Sequence, residues 1–328
     1  MDFLNKNTLK TRRGFTYTYY TSSAKSDKPT ILLLHGWPDE AALWAGLISD
    51  YLLPAGYGVI APDCLGYQGT DKPIDPEAYN LKDQTADMCD ILDKESIEQV
   101  VPLGHDWGSS FSQRMYIYHP ERCIGLINLN VAYRPQSRGS PDLDAMVKLM
   151  EAAIGYFPHW YLFLFSDPVE GPQLTGAHIE SLFAALHGEP ETWLDTLCKK
   201  DGIRDWLKED RTQPVQAYAT DDLKKKFVER FSRDGFTAPL MWHRAAMEGY
   251  HGVEEAKLPK ERFVVNVPYL FVAGNRDVMN LPGEIMVPEK AGLLPKLTKK
   301  NVDSGHWSML SHPKEVGEAV ISWLVANF

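Results

Sequence analysis

The chain is expected to adopt an α/β fold, a mostly parallel sheet flanked by helices, with a helical segment inserted into it. Three observations predict this. Short apolar runs of the buried-strand type recur along the sequence, and amphipathic stretches of helix length separate the first four of them. The alternation then lapses over about 134–249, where aromatic residues and Leu fall at helical spacing instead.

Phe15 to Thr21 alternates aromatic residues with Thr and reads as a half-exposed early strand. Thr30-Ile31-Leu32-Leu33-Leu34 is a continuous apolar run ending at His35-Gly36, the pattern of a parallel strand covered on both faces. Gly58 to Asp63, Val100 to Gly104, Ile124 to Leu129 and Pro268 to Gly274 repeat the pattern, while Leu81 to Lys94, Ser109 to Tyr118 and Pro313 to Val325 read as helices. In the lapse, Trp160, Tyr161, Phe163, Leu164 and Phe165, then Leu182, Phe183 and Leu186, predict helical hairpins. Asp167-Pro168, Glu189-Pro190 and Gln213-Pro214 mark turns between them. The expected division is a core domain of 1–133 and 250–328 and a helical cap of 134–249 above the C-terminal edge of the sheet.

The 328 residues, 44% of them hydrophobic, suffice for one large core plus a sizeable insertion. A formal net charge of -10 without a Lys/Arg stripe argues against a nucleic-acid partner. Lys224-Lys225-Lys226 follows Asp221-Asp222 and reads as a solvated helix end. Cys64, Cys89, Cys123 and Cys198 are scattered without metal-ligand spacing, which fits buried thiols in a reducing compartment. Met1 to Lys6 lacks a signal-peptide core and no apolar run is long enough to span a bilayer, so a cytoplasmic protein with no membrane partner is expected. The oligomeric state is left open, a homodimer included.

The chemistry concentrates in Gly104-His105-Asp106-Trp107-Gly108, between an apolar strand and a helix. Gly-x-nucleophile-x-Gly at such a junction is a nucleophile elbow: the turn is so tight that small residues must flank a side chain standing clear at the helix N-terminus. Here that side chain is an aspartate, a carboxylate favoured by backbone N–H groups and by the positive end of the helix. The plainer reading is a helix N-cap. Two features favour the elbow. His306, in Asp303-Ser304-Gly305-His306-Trp307 before the last helix, stands where a general base belongs. Asp277, in Val272-Ala273-Gly274-Asn275-Arg276-Asp277, lies just past a buried strand as its acid partner, with Asp303 as a rival. The order nucleophile, acid, histidine is that of the α/β-hydrolase fold, in which the residue after His35-Gly36 also supplies an oxyanion N–H. Trp37 and Trp107 are therefore the expected donors.

Taken together, His35-Gly36-Trp37-Pro38-Asp39, the segment Asp63 to Pro73, Gly104 to Gly108 and Gly305-His306-Trp307 resemble the α/β-hydrolase-fold epoxide hydrolases over nearly the whole chain, least in the cap. The resemblance implies opening of an epoxide by Asp106, with an alkyl-enzyme ester hydrolysed by water that His306 and Asp277 activate. It implies two cap tyrosines as proton donors. Tyr161 falls where the first belongs, but the segment Phe236 to Arg244 has His243 in place of the second. His243 is taken as the second donor, stronger still as an imidazolium, with Tyr156, Tyr218 and Tyr250 as substitutes. His35, Trp37, Trp107, Tyr161 and His243 are the expected substrate-binding side chains, and a small apolar or aryl epoxide the expected substrate. No cofactor and no metal are implied.

Three alternatives share the scaffold. Haloalkane or haloacid dehalogenation uses the same Asp-His-Asp machinery, but Trp37 stands where haloalkane dehalogenases commonly carry Asn, and Trp107 where fluoroacetate-type relatives carry Arg. Hydrolysis of a lactone or ester and non-catalytic reception of a ligand are the other two.

Overall fold

The computed structural model describes residues 1–25, 27–136 and 139–328. Eight strands form one sheet: β1 (Asn5–Lys10), β2 (Thr16–Ser22), β3 (Thr30–Leu34), β4 (Gly58–Pro62), β5 (Val100–His105), β6 (Leu126–Leu129), β7 (Tyr269–Gly274) and β8 (Leu297–Val302). Their order is β1-β2-β4-β3-β5-β6-β7-β8. β1 and β2 are antiparallel, as are β2 and β4, and every other pairing is parallel.

The central strands β3 to β7 are the continuous apolar runs, buried at every position, because helices cover both faces. Their register places the functional loops. Leu34 pairs with Gly104, His105 with Leu129, and Leu129 with Val272. The loops carrying Trp37, Asp106, Asn130 and Asp277 therefore leave the sheet along one edge, the carboxyl ends of the strands, where open α/β sheets bind ligands.

The strands β1 and β8 were not anticipated. Both lie at the rims of the sheet and carry lysines on exposed positions, a composition that discourages pairing with other chains and hides the strand period. The helices Leu81–Lys94, Trp107–Tyr118 and Pro313–Asn327 follow the expected spans closely.

Among the described residues, no strand occurs between Leu129 and Tyr269, and helices fill that interval. Arg114 ties both roots of the insertion to the core. Its guanidinium donates to the carbonyls of Arg134 and Pro135 and to the buried Glu255 carboxylate, with Nε 2.9 Å from Oε1. Two further bonds seat the insertion on the loops after β3 and β4. Arg230 Nη2 donates to the Pro38 carbonyl (2.7 Å), and Trp242 Nε1 to the Leu65 carbonyl (2.9 Å). Lys224, Lys225 and Lys226 lie close to the start of the helix Asp221–Asp234, a helix end as expected. They pair there with Glu180, Glu229 and Asp222. All four cysteines are free and buried. Among the described residues, no helix is long and apolar enough to cross a membrane.

Candidate active site

β5 ends at His105 and the next helix starts at Trp107, so Asp106 alone makes the turn, at φ 54° and ψ −127°. A non-glycine residue in this region stores about 1–3 kcal/mol of strain. The flanking glycines make the turn possible: a Cβ on Gly108 would fall on the Leu34 carbonyl, and one on Gly104 on the carbonyl of Gly108. The Asp106 side chain makes no N-capping bond to its helix, which sets the plainer reading aside. Its Oδ1 accepts instead from the Trp37 backbone N–H at 2.8 Å.

His306 stands between two carboxylates. Its Nδ1 lies 2.7 Å from Asp277 Oδ2, and its Nε2 3.5 Å from Asp106 Oδ2. Burial alone would push the imidazole down, but Asp277 and Asp106 overcome it and raise His306 to about 10. Burial likewise works against the Asp106 carboxylate. The hydrogen bond and charge of His306, assisted by His105 and the Trp107 backbone N–H, overcome it and bring Asp106 down to about 2. Asp277 is also held below its usual value, against its burial, by His306 and by the backbone N–H groups of Met279 and Asn280, each at 3.0 Å. The rival Asp303 is exposed.

Four residues of this network escaped the sequence reading. Asn130, at φ 65° just past β6, donates to Asp277 Oδ2 (3.2 Å) and to the Gly305 carbonyl (3.0 Å), and accepts from Ser308 Oγ (2.7 Å). His105 bonds the His306 carbonyl through Nε2 at 2.8 Å. Asn280 lies 3.5 Å from His306 Nδ1. The available signal was an Asn directly after an apolar run that emerges on the same sheet edge as Asp106.

The insertion brings Tyr161 and His243 to this edge. The Tyr161 backbone N–H is fixed on the Leu197 carbonyl (3.0 Å), and its hydroxyl makes no hydrogen bond among the described residues. His243 Nε2 accepts from the Trp107 indole N–H at 3.2 Å, while its Nδ1 is buried without a partner among the described residues. Burial pushes His243 down to about 3, so the ring is a neutral imidazole, and the stronger donor that an imidazolium would be is not available. His35, expected to bind substrate, is a structural residue instead. Its Nε2 accepts from the Cys64 N–H (2.9 Å) and its Nδ1–H donates to the Gly36 carbonyl (2.9 Å), so both ring nitrogens are engaged. Of the substitute tyrosines, Tyr156 donates to the Val278 carbonyl, Tyr218 bonds His187, and Tyr250 lines neither cavity at Asp106.

Two cavities meet at Asp106. The larger, about 570 Å³, has apolar walls from Leu81, Val131, Met146, Met150, Leu162 and Met247. The smaller, about 20 Å³, is bounded by Trp37, Phe165, His243, His306 and their neighbours. Asp106 and Tyr161 border both, and Trp107 borders the larger. Arg134 also lines the larger cavity, with Nη2 3.4 Å from Asn280 Oδ1.

Residues 29–313 match a family described as alpha/beta hydrolase fold. The chain is 27% identical to bifunctional epoxide hydrolase 2 of Mus musculus over 299 residues, covering 90% of this chain and 51% of that protein. It thus spans about half the length of such mammalian relatives. Epoxide hydrolase A of Mycobacterium tuberculosis is 25% identical over 320 residues, covering 90% of each chain. Among solved structures, epoxide hydrolase A from Mycobacterium thermoresistibile superposes with a TM-score of 0.81 at 26% identity, covering 99% of both chains.

Proposed function

The chain belongs to the alpha/beta hydrolase fold family, and from that premise we propose that it hydrolyses an epoxide to a vicinal diol through a covalent ester on Asp106. The observation that carries the reading is the carboxylate itself. It is ionised, held in a strained turn by the Trp37 N–H at 2.8 Å, and shares its pocket with Tyr161, whose hydroxyl makes no hydrogen bond among the described residues. A serine there suits attack on a carbonyl; a carboxylate suits displacement at a saturated carbon. A carboxylate oxygen attacks a ring carbon, the C–O bond breaks, and the ring oxygen takes a hydrogen bond and then a proton from the side of Tyr161 and His243.

The ester changes the charge beside His306. Asp106 then no longer holds the imidazole up, so His306 sheds a proton, which balances the one gained by the ring oxygen. The neutral ring, oriented by Asp277, deprotonates water, and the resulting hydroxide adds to the ester carbonyl. The backbone N–H groups of Trp37 and Trp107 receive the oxyanion. Collapse expels the diol oxygen, which takes the proton from His306, and the new Asp106 carboxyl then passes its own proton to His306, restoring the carboxylate and the charged ring.

In this reading 134–249 is a cap on a core of 1–133 and 250–328. The lining of the larger cavity favours an apolar or aryl epoxide, and the free, buried cysteines favour a cytoplasmic address. Dehalogenation would call on the Trp107 indole N–H to bind halide, but His243 already accepts it.

The test is His306→Gln, which forms the ester but hydrolyses it poorly. The variant is exposed separately to panels of epoxides and haloalkanes, digested and weighed. A peptide containing Asp106 that gains the whole mass of an epoxide is the expected result. A gain equal to a haloalkane less hydrogen halide, with epoxides inert, overturns the reading in favour of dehalogenation.

A further inference from the structure

We propose that Trp107 is a positioning residue: its indole N–H holds His243 in the Nδ1–H tautomer and so makes Nδ1–H the second donor, beside the Tyr161 hydroxyl, to the departing epoxide oxygen. The inference rests on the epoxide-opening reading above.

An indole N–H can only donate, so His243 Nε2, 3.2 Å from it, must be the acceptor and cannot carry a proton while that bond stands. The ring is neutral, with a single N–H, which is thereby placed on Nδ1. That nitrogen is enclosed and has no acceptor among the described residues. A buried donor left unmatched in the resting fold is the kind of exception that calls for an explanation, and a ligand oxygen supplies one. The ring lies among Trp37, Trp107, Tyr161 and Phe165, with centroids 5.2–5.8 Å away, and borders the small cavity with Asp106 and Tyr161. Its helix is pinned by the bond from Trp242, the preceding residue, to the Leu65 carbonyl. A phenol at this position needs no such arrangement, because its one hydroxyl both donates and accepts. An imidazole is useful only when the proton sits on the correct nitrogen, and Trp107 decides which.

The experiment is nitrogen-15 NMR of labelled histidine in the unmodified protein, combined with single-turnover kinetics of ester formation and ester hydrolysis. His243 should show Nδ1 protonated and Nε2 bare. In Trp107→Phe the tautomer ratio should relax by about fivefold, the worth of one ordinary hydrogen bond. Ester formation should slow by a similar factor, with ester hydrolysis changed less. In a His243→Tyr background the loss caused by Trp107→Phe should shrink, since the pair is no longer coupled. Protonated Nε2 in an enzyme that turns over epoxides overturns the inference alone. No turnover of any epoxide, with the tautomer intact, overturns the function reading and the donor role with it. Should Trp107→Phe not fold, the unmodified protein still reports the tautomer. His243→Phe then decides the donor role: a loss of about 100-fold in ester formation is expected, and an unchanged rate overturns it.

Discussion

Replacing Asp277 with Asn tests the division of labour around His306. Raising that imidazole from 6.5 to about 10 corresponds to about 5 kcal/mol in favour of its charged form. Two carboxylates supply it, and in the proposed ester intermediate only Asp277 is left, because Asp106 would then be uncharged. If each supplies half, the Asn variant loses about 2.5 kcal/mol when water gives up its proton, a factor of about 70. The side chain also keeps its place. Its Oδ1 can still accept from Met279 and Asn280, so the amide Nδ2 is turned toward His306 Nδ1. That arrangement favours a proton on Nε2, the nitrogen that must be bare, and a wrong tautomer of this kind costs up to about 10,000-fold in hydrolase triads. Ester hydrolysis should therefore slow by between about 70-fold and about 10,000-fold, while ester formation changes far less. Intact-mass spectrometry of quenched single turnovers should show the adduct building up to nearly one per chain. Steady-state turnover within about fivefold of the parent, or an adduct that never accumulates, would refute the reasoning.

Gly108→Ala drives a Cβ into the Leu34 carbonyl. It should cost about 1–3 kcal/mol of stability and, by shifting Asp106 from the Trp37 N–H, slow ester formation by a larger factor than that loss implies. A folded variant with the parental rate in single turnovers would contradict this. Acid should unfold the protein early. Burial brings His35, His105, His159, His187, His243 and His251 each to about 3. The unfolded chain binds those protons first, so stability is full above pH 6.5 and falls as pH drops toward 3. Asp39 and Asp63, raised by burial to about 7, work the opposite way. Six imidazoles less two carboxyls leave a net of four protons, about 5 kcal/mol per pH unit near pH 5. With ordinary domain stability the acid midpoint should lie at about pH 4.5–5.5, and circular dichroism with proton-uptake titration should show about four protons bound; a midpoint below about pH 3.5 would refute it. His306 acts on the alkaline side, its contribution complete below pH 6.5 and lost as pH rises through about 10.

What could be read from the sequence was whatever is local. Leu32, Ile60 and Leu103 belong to runs with no polar residue to interrupt them, because such strands are covered on both faces. Asp106 was visible because its turn admits only small neighbours, which leaves glycines at fixed spacing. The rim strands were not, since Lys299 and Lys300 give β8 the look of a loop. The site's supporting bonds were hidden for another reason. Asn130 meets Asp277 across 147 residues and Trp107 meets His243 across 136, and nothing in either local segment records the partner. His35 was misplaced because its motif names a loop and not the direction of each side chain; the imidazole turned inward to bind backbone groups.

The two cavities both border Asp106, and among the described residues Asp106 and Tyr161 are those common to both linings. On the proposed chemistry the carboxylate then works like a partition, with bulk admitted on one side and protons handled on the other. Wall positions such as Met146 and Met150 lie only on the admitting side, and His306 only on the other. The choice of substrate and the pace of ester breakdown are thereby written in separate sets of residues. If the proposed chemistry holds, reshaping the wide chamber should alter which epoxides enter while leaving the clock that releases the diol running at its own rate.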